Sequence, residues 1–125
     1  MTNLNIAPTK TTPSVVYHEE SKTLEFSGES YPENSVQFYQ GIQQRIEAFL
    51  VDRKEPFTVT FKLDYFNTST SKCLYDLLDF LEKSHKQNGN ITVNWYYKKQ
   101  DEDMLESGMD FKADISVPFN LIAYN

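Results

Sequence analysis

The chain has 125 residues, of which 39% are apolar and 14% aromatic; that suits one domain with a real core. Its formal net charge of -6 argues against phosphate-backbone binding, which needs clustered Lys and Arg, and against a basic membrane-surface helix; proteins or small molecules are the expected partners, not nucleic acid. Cys73 is the single cysteine, so an internal disulfide and a cysteine-rich zinc site are both excluded.

The first residues, "MTNLNIAPTKTTP", lack the basic-then-apolar layout of a signal peptide. Residues 1–13 are expected to be extended or mobile. No run of about 18 apolar residues occurs, so no membrane insertion is expected, and a reducing cytoplasm is the expected location. Two short runs of β character follow, "SVVYHE" (14–19) and "KTLEFSG" (22–28), close enough for a tight connection. Ser30 and Glu33 then fit an S-x-x-E capping box, with Pro32 in the first turn of a helix. Tyr39, Ile42, Ile46, Phe49 and Leu50 fall on one face of that helix. Gly41 weakens it by about 1 kcal/mol relative to Ala and suggests close packing.

"PFTVTFKL" (56–63) alternates Phe57, Val59, Phe61 and Leu63 on one side, as a half-buried strand does. After a polar stretch, Leu74, Leu77, Leu78 and Leu81 line a helix that ends near Asn88-Gly89. "NITVNWYY" (90–97) is the next strand. "QDEDMLESGMDF" (100–111) reads as a short acidic helix broken around Gly108. "DISVPFNLIA" (114–123) is the last strand, and Pro118 marks it as an edge or a bulge. The order β-β-α-β-α-β-α-β implies crossover helices on a mixed sheet, packed mainly on one face of a single small α/β domain.

The motifs of common catalytic sites are missing: no G-x-S-x-G, Walker A loop, G-x-G-x-x-G or H-E-x-x-H is present. No cofactor or metal is expected. His18 and His85 are far apart and read as solvated. "DEDMLE" (101–106) reads as an acidic helix start favoured by the dipole rather than a cation loop. Cys73 lies near a helix N-terminus, where a thiolate would be stabilised, or is simply buried. Trp95, Tyr96 and Tyr97 end a strand, and one of them either faces outward as a contact surface or caps the core.

The polar stretch is Asn67, Thr68, Ser69, Thr70, Ser71 and Lys72. It follows a strand and opens a helix, at the sheet edge where α/β folds place their sites. The first turn of a helix has unpaired N–H groups and a partial positive charge. Here no carboxylate answers that charge: Asp76 comes late. A phosphate would be accommodated there, with Lys72 nearby. The plainer reading is a single helix cap with solvated neighbours.

Three segments carry a resemblance. "GESYPENSVQFY", "LDYFNTSTSK" and "VNWYYKKQDEDMLESGMDF" resemble, in order and spacing, the SiaC family of bacterial regulatory phosphoproteins; the likeness runs roughly from Thr12 to Phe119. It implies a STAS-like fold, similar to anti-sigma-factor antagonists, and partner switching. In that scheme a cognate kinase phosphorylates the threonine of an N-T-S motif and a PP2C-type phosphatase removes the phosphate. The unmodified form binds and activates an output protein, a diguanylate cyclase in the best-known pathway, and so influences cyclic di-GMP and biofilm behaviour. The threonine maps onto Thr68, between Asn67 and Ser69. The family's N-T-S-S reads N-T-S-T here, so Thr70 adds a second nearby hydroxyl. On this reading Ser69 or Thr70 caps the helix, Ser71 and Lys72 flank the phosphate, and Tyr31 and Asn34 line a partner surface. Two other classes remain: a small hydrolase, which needs a base beside the hydroxyl, and a small-molecule sensor using Trp95 to Tyr97, which needs a pocket.

Overall fold

The alternation of apolar and polar residues along the strands sets the register of the whole sheet. A computed structural model describes residues 4–51 and 53–125. Six strands lie side by side in chain order: β1 (Asn5–Ile6), β2 (Ser14–His18), β3 (Thr23–Ser30), β4 (Phe57–Phe66), β5 (Ile91–Lys98) and β6 (Phe119–Tyr124). β2 runs antiparallel to both of its neighbours, β1 and β3; β3 to β6 are parallel. Val15, Phe26, Phe61, Trp95 and Leu121 form one row across the sheet, and Tyr17, Leu24, Val59, Val93 and Phe119 the next. All but Leu121 are buried. A one-residue slip would turn either row outward, which is why the register is unique. Asn5–Ile6 lies within the segment expected to be extended or mobile, and it pairs with β2. Met1 to Asn3 lie outside the described residues.

Three helices connect the parallel strands: α1 (Ser35–Leu50), α2 (Thr68–Asn88) and α3 (Glu102–Ala113). Successive crossovers of one hand that step the same way along a sheet deliver every helix to the same face. The core between them holds Tyr39, Ile42 and Ile46 of α1, Leu74, Leu77, Leu78 and Leu81 of α2, and Met104 and Phe111 of α3. Each such side chain contributes about 1.5–3 kcal/mol on burial. The opposite face carries the row Val16, Glu25, Thr60, Asn94 and Asn120 and, among the described residues, no helix. This is the expected STAS-like arrangement of a mixed sheet with helices on one face. α2 ends at Gly89, whose φ of 72° suits the glycine there. β6 is an edge strand, with Pro118 just before it.

Two local expectations are corrected. Ser30 and Glu33 do not form a capping box. Strand β3 continues through Ser30, the chain passes the buried Pro32 and turns at Glu33 and Asn34, and α1 starts only at Ser35. The Ser30 hydroxyl points inward to Tyr39 and Thr70, so it is not free to cap. α3 is not broken at Gly108 but runs through it.

The tie between α2 and the α3–β6 connection predicts a pH effect. The Glu82 carboxylate accepts from the Ser116 N–H at 2.6 Å and the Ser116 hydroxyl at 2.9 Å. These bonds hold its pKa below the ordinary value. A depressed carboxylate stabilises the fold above its unfolded pKa, and that contribution is lost as pH falls through the folded pKa. In thermal melts across the acid range, Glu82→Gln is expected to lose part of the wild-type fall in Tm. An unchanged pH profile would show that the tie is energetically silent.

Candidate functional site

The four parallel strands end on one edge of the sheet, at Ser30, Phe66, Lys98 and Tyr124, and the helix starts gather there. A bulge shapes this edge. Gly28 pairs with Leu63 but Glu29 pairs with Tyr65, so Asp64 is an extra residue in β4. Gly28 sits at φ 101°, a conformation that favours glycine. The bulge inverts the alternation. Phe66 turns into the core against Trp95 and Phe111, Tyr65 turns out, and Ser30 comes level with Phe66.

Asn67 then caps α2. Its backbone is extended, and its side-chain Oδ1 accepts from the Thr70 N–H at 3.0 Å. This corrects the expectation that Ser69 or Thr70 is the cap. Thr70 has no exposed surface. Its hydroxyl donates to the Ser30 carbonyl at 3.0 Å and meets the Ser30 hydroxyl at 2.9 Å. So Thr70 is unavailable both as a second acceptor and as a partner contact. The Asn67 N–H donates to the Ser30 carbonyl at 3.2 Å, and the Ser71 N–H to the Asn67 carbonyl at 2.9 Å. Ser71 is half-buried.

Thr68 and Ser69 are what these bonds leave over. Both are exposed, and neither hydroxyl is engaged in a hydrogen bond among the described residues. Thr68 is the first residue of α2, and the first turn of α2 holds no acidic residue. α3 differs: Asp101 caps it by accepting from the Met104 N–H, and Glu102 and Asp103 fill its first turn. The α2 start therefore keeps an unanswered partial positive charge. Exposed Lys72 lies four residues along α2, on the same side as Thr68.

Tyr31 follows β3 to the same edge and packs edge-on to Tyr65, with ring centroids 5.9 Å apart. Asn34 is exposed at the start of α1 and makes no side-chain cap bond. On the α3 side, a cleft of about 280 Å³ is lined by Asp64, Tyr65, Phe66, Asp101, Asp103, Met104 and Ser107. No group of three metal-ligating side chains converges among the described residues.

The residues of the other readings lie elsewhere. His18 is paired with Glu25 at 3.1 Å, at the end of the sheet where β4 begins. His85 accepts from the Ile91 N–H near the far end of α2, about 25 Å along the helix axis from Thr68. Neither can serve Thr68 as a base. Trp95 is buried and donates its indole N–H to the Met104 carbonyl, so it walls no open pocket. Cys73 is buried. No helix among the described residues is long and apolar enough to cross a membrane.

The asparagine cap and the inward Ser30 were missed in the sequence. Asn67 before a helical run was a sufficient signal for the first; nothing local signals the second. The cap assignment is testable. Asn67→Ala is expected to cost about 0.5–2 kcal/mol, and Thr68→Ala less than about 0.5 kcal/mol, measured by denaturant unfolding. The reverse order would return the cap to Thr68.

Fold and edge together define a small STAS-like α/β module whose distinguishing feature is an exposed hydroxyl on an uncompensated helix start. The description "SiaC family regulatory phosphoprotein" matches residues 6–124, and the chain belongs to that family. A curated relative, an uncharacterized protein of Pseudomonas aeruginosa (strain UCBPP-PA14), is 33% identical over 125 residues, covering 100% of this chain and 99% of the relative. Among solved structures, the chain is similar to one in the crystal structure of the diguanylate cyclase SiaD with its activator SiaC from Pseudomonas aeruginosa. There the identity is 33% and the TM-score 0.89, over 98% of this chain and 100% of that one. It is likewise similar to apo-SiaC of Pseudomonas aeruginosa, at 32% identity and a TM-score of 0.87, over 98% and 100% of the two chains.

Proposed function

We propose that the chain is a non-catalytic partner-switching regulator of the cytoplasm. A cognate protein kinase phosphorylates Thr68, and a PP2C-type phosphatase removes the phosphate. The unmodified form binds and activates an output protein, a diguanylate cyclase, and so acts on cyclic di-GMP and biofilm formation. Membership of a family of regulatory phosphoproteins supports the modification. Likeness to a protein that is the activator of a diguanylate cyclase supports the output.

The observation that carries the reading is local. Thr68 presents a free hydroxyl at a helix start with no carboxylate in its first turn. A phosphate adds about -1.5 to -2 charges. At this position the helix dipole favours them, and Lys72 stands in the favourable i,i+4 order. The fold thus tolerates the modification while the surface changes sign. A partner packed on a neutral hydroxyl would have to desolvate that charge, and every 1.4 kcal/mol of penalty is about tenfold in affinity. Asn67, Ser69, Ser71, Lys72, Tyr31 and Asn34 supply the surrounding contact surface.

Intact mass and site mapping on protein purified from its own host test the reading. One phosphate on Thr68 in the wild type, absent from Thr68→Ala, is the expected result. A wild type that is never phosphorylated, or that carries the phosphate elsewhere, would overturn it.

A further inference from the structure

The turn that presents Thr68 is held by a chain of buried hydroxyls from three elements. Tyr39 of α1 meets the Ser30 hydroxyl at 2.7 Å, and Ser30 meets Thr70 at 2.9 Å. The Thr70 hydroxyl donates to the Ser30 carbonyl. A hydroxyl has one proton, so this last bond sets the order of the rest. Ser30 must donate to Thr70, and Tyr39 must donate to Ser30. Burial pushes the Tyr39 phenol well above the ordinary tyrosine range, so it stays protonated as the donor. All three residues are buried, and no buried side-chain polar atom among the described residues lacks a partner. The Ser30 carbonyl takes a second bond from the Asn67 N–H. The turn from Asn67 to Ser71 is therefore clamped on a single strand-end residue, with Thr70 inward and Thr68 and Ser69 outward.

We propose that the Tyr39–Ser30–Thr70 hydroxyl chain is the positioning device that selects the phosphoacceptor. It holds the α2 start in the one register that offers Thr68 to the kinase and withholds Thr70. The proposal rests on the reading of Thr68 as the acceptor. Tyr39, Ser30 and Thr70 touch neither phosphate nor partner in this scheme; they act through the turn.

The test replaces the gene in the host with Tyr39→Phe, Thr70→Val and Thr70→Ser. Ile46→Val serves as a control for mild core destabilisation on the same α1. The phosphorylated fraction is site-mapped, and amide hydrogen exchange is measured on the purified chains. In Tyr39→Phe and Thr70→Val, Thr68 phosphate is expected to fall roughly tenfold or to spread to Ser69. The amides of Asn67, Thr70 and Ser71 should exchange roughly tenfold faster, while β5 amides keep their protection. Thr70→Ser, which keeps the hydroxyl, should restore both, and Ile46→Val should change neither. Wild-type phosphorylation of Thr68 in Tyr39→Phe and Thr70→Val overturns the positioning role and leaves the acceptor reading intact. An equal loss in Ile46→Val overturns it too, because stability alone would then explain the effect. A wild type without phosphate on Thr68 is the separate failure of the acceptor reading. In that case faster exchange in the variants would reduce the chain to a structural clamp, and the selection role falls.

Discussion

In a binding assay against the proposed output cyclase, Thr68→Ala is expected to bind like unmodified wild type and to stay bound when the proposed kinase and ATP are added. Wild type is expected to be released under the same conditions. The physical ground is the division of labour at the α2 start. Asn67 supplies the cap and Thr70 the buried anchor, so the Thr68 hydroxyl carries little of the fold. Removing it takes away the proposed acceptor and almost nothing else. Thr68→Glu should release the cyclase only partly: one carboxylate brings a single charge and two oxygens, against about -1.5 to -2 charges and three oxygens for a phosphate. Its residual effect should weaken with added salt, as exposed charge does. Release of Thr68→Ala by kinase and ATP would show that another residue carries the switch. A Thr68→Ala chain that melts far below wild type would show that the hydroxyl is structural after all.

How much of this was legible in the sequence depends on how far away the deciding partner lies. The strands around Val59 and Val93 were legible because one face of the sheet is buried, which writes a period of two into the residues themselves. The α2 face of Leu74, Leu77, Leu78 and Leu81 was legible for the same reason at helical period. The stop at Gly89 was legible because its positive φ needs a particular residue. Ser30 was misread because S-x-x-E is a local pattern, whereas its actual partner, Thr70, is 40 residues away. The bulge at Asp64 was invisible for a related reason. It consists of a register shift against another strand and leaves only Gly28 as a trace. In the candidate site, Thr68 itself stood out through the resemblance and the missing carboxylate. Its surroundings did not, because whether a hydroxyl caps, anchors or faces water is decided by the strand and helix it meets.

The two helical glycines make the same point and can be set against each other. Gly41 was expected to allow close packing and Gly108 to break a helix; the close packing is at Gly108, and neither glycine breaks its helix. Gly41 is exposed in α1, and a Cβ built on it meets nothing within 4 Å. Gly108 is buried in α3, and a Cβ there would lie 2.7 Å from both Leu121 Cδ2 and Trp95 Nε1. Both helices continue through their glycine, so alanine should gain about 1 kcal/mol of helix propensity at either place. At Gly41 nothing opposes that gain, and Gly41→Ala is expected to raise Tm. At Gly108 the indole cannot yield. It packs against Phe61, Phe66, Phe111 and Phe119, and its N–H is bound to the Met104 carbonyl at 2.9 Å. Overpacking costs about 1–3 kcal/mol, and displacing the indole N–H from its acceptor adds about 1–3 kcal/mol. Gly108→Ala is therefore expected to lower Tm, and Gly108→Val to lower it further. The double variant Gly41→Ala/Gly108→Ala should show the sum of the two shifts, since the sites share no neighbour. Thermal melts of the four chains decide it. A Gly108→Ala chain that melts above wild type would mean that α3 stands off from Trp95, and the packing of α3 against β5 would have to be redrawn.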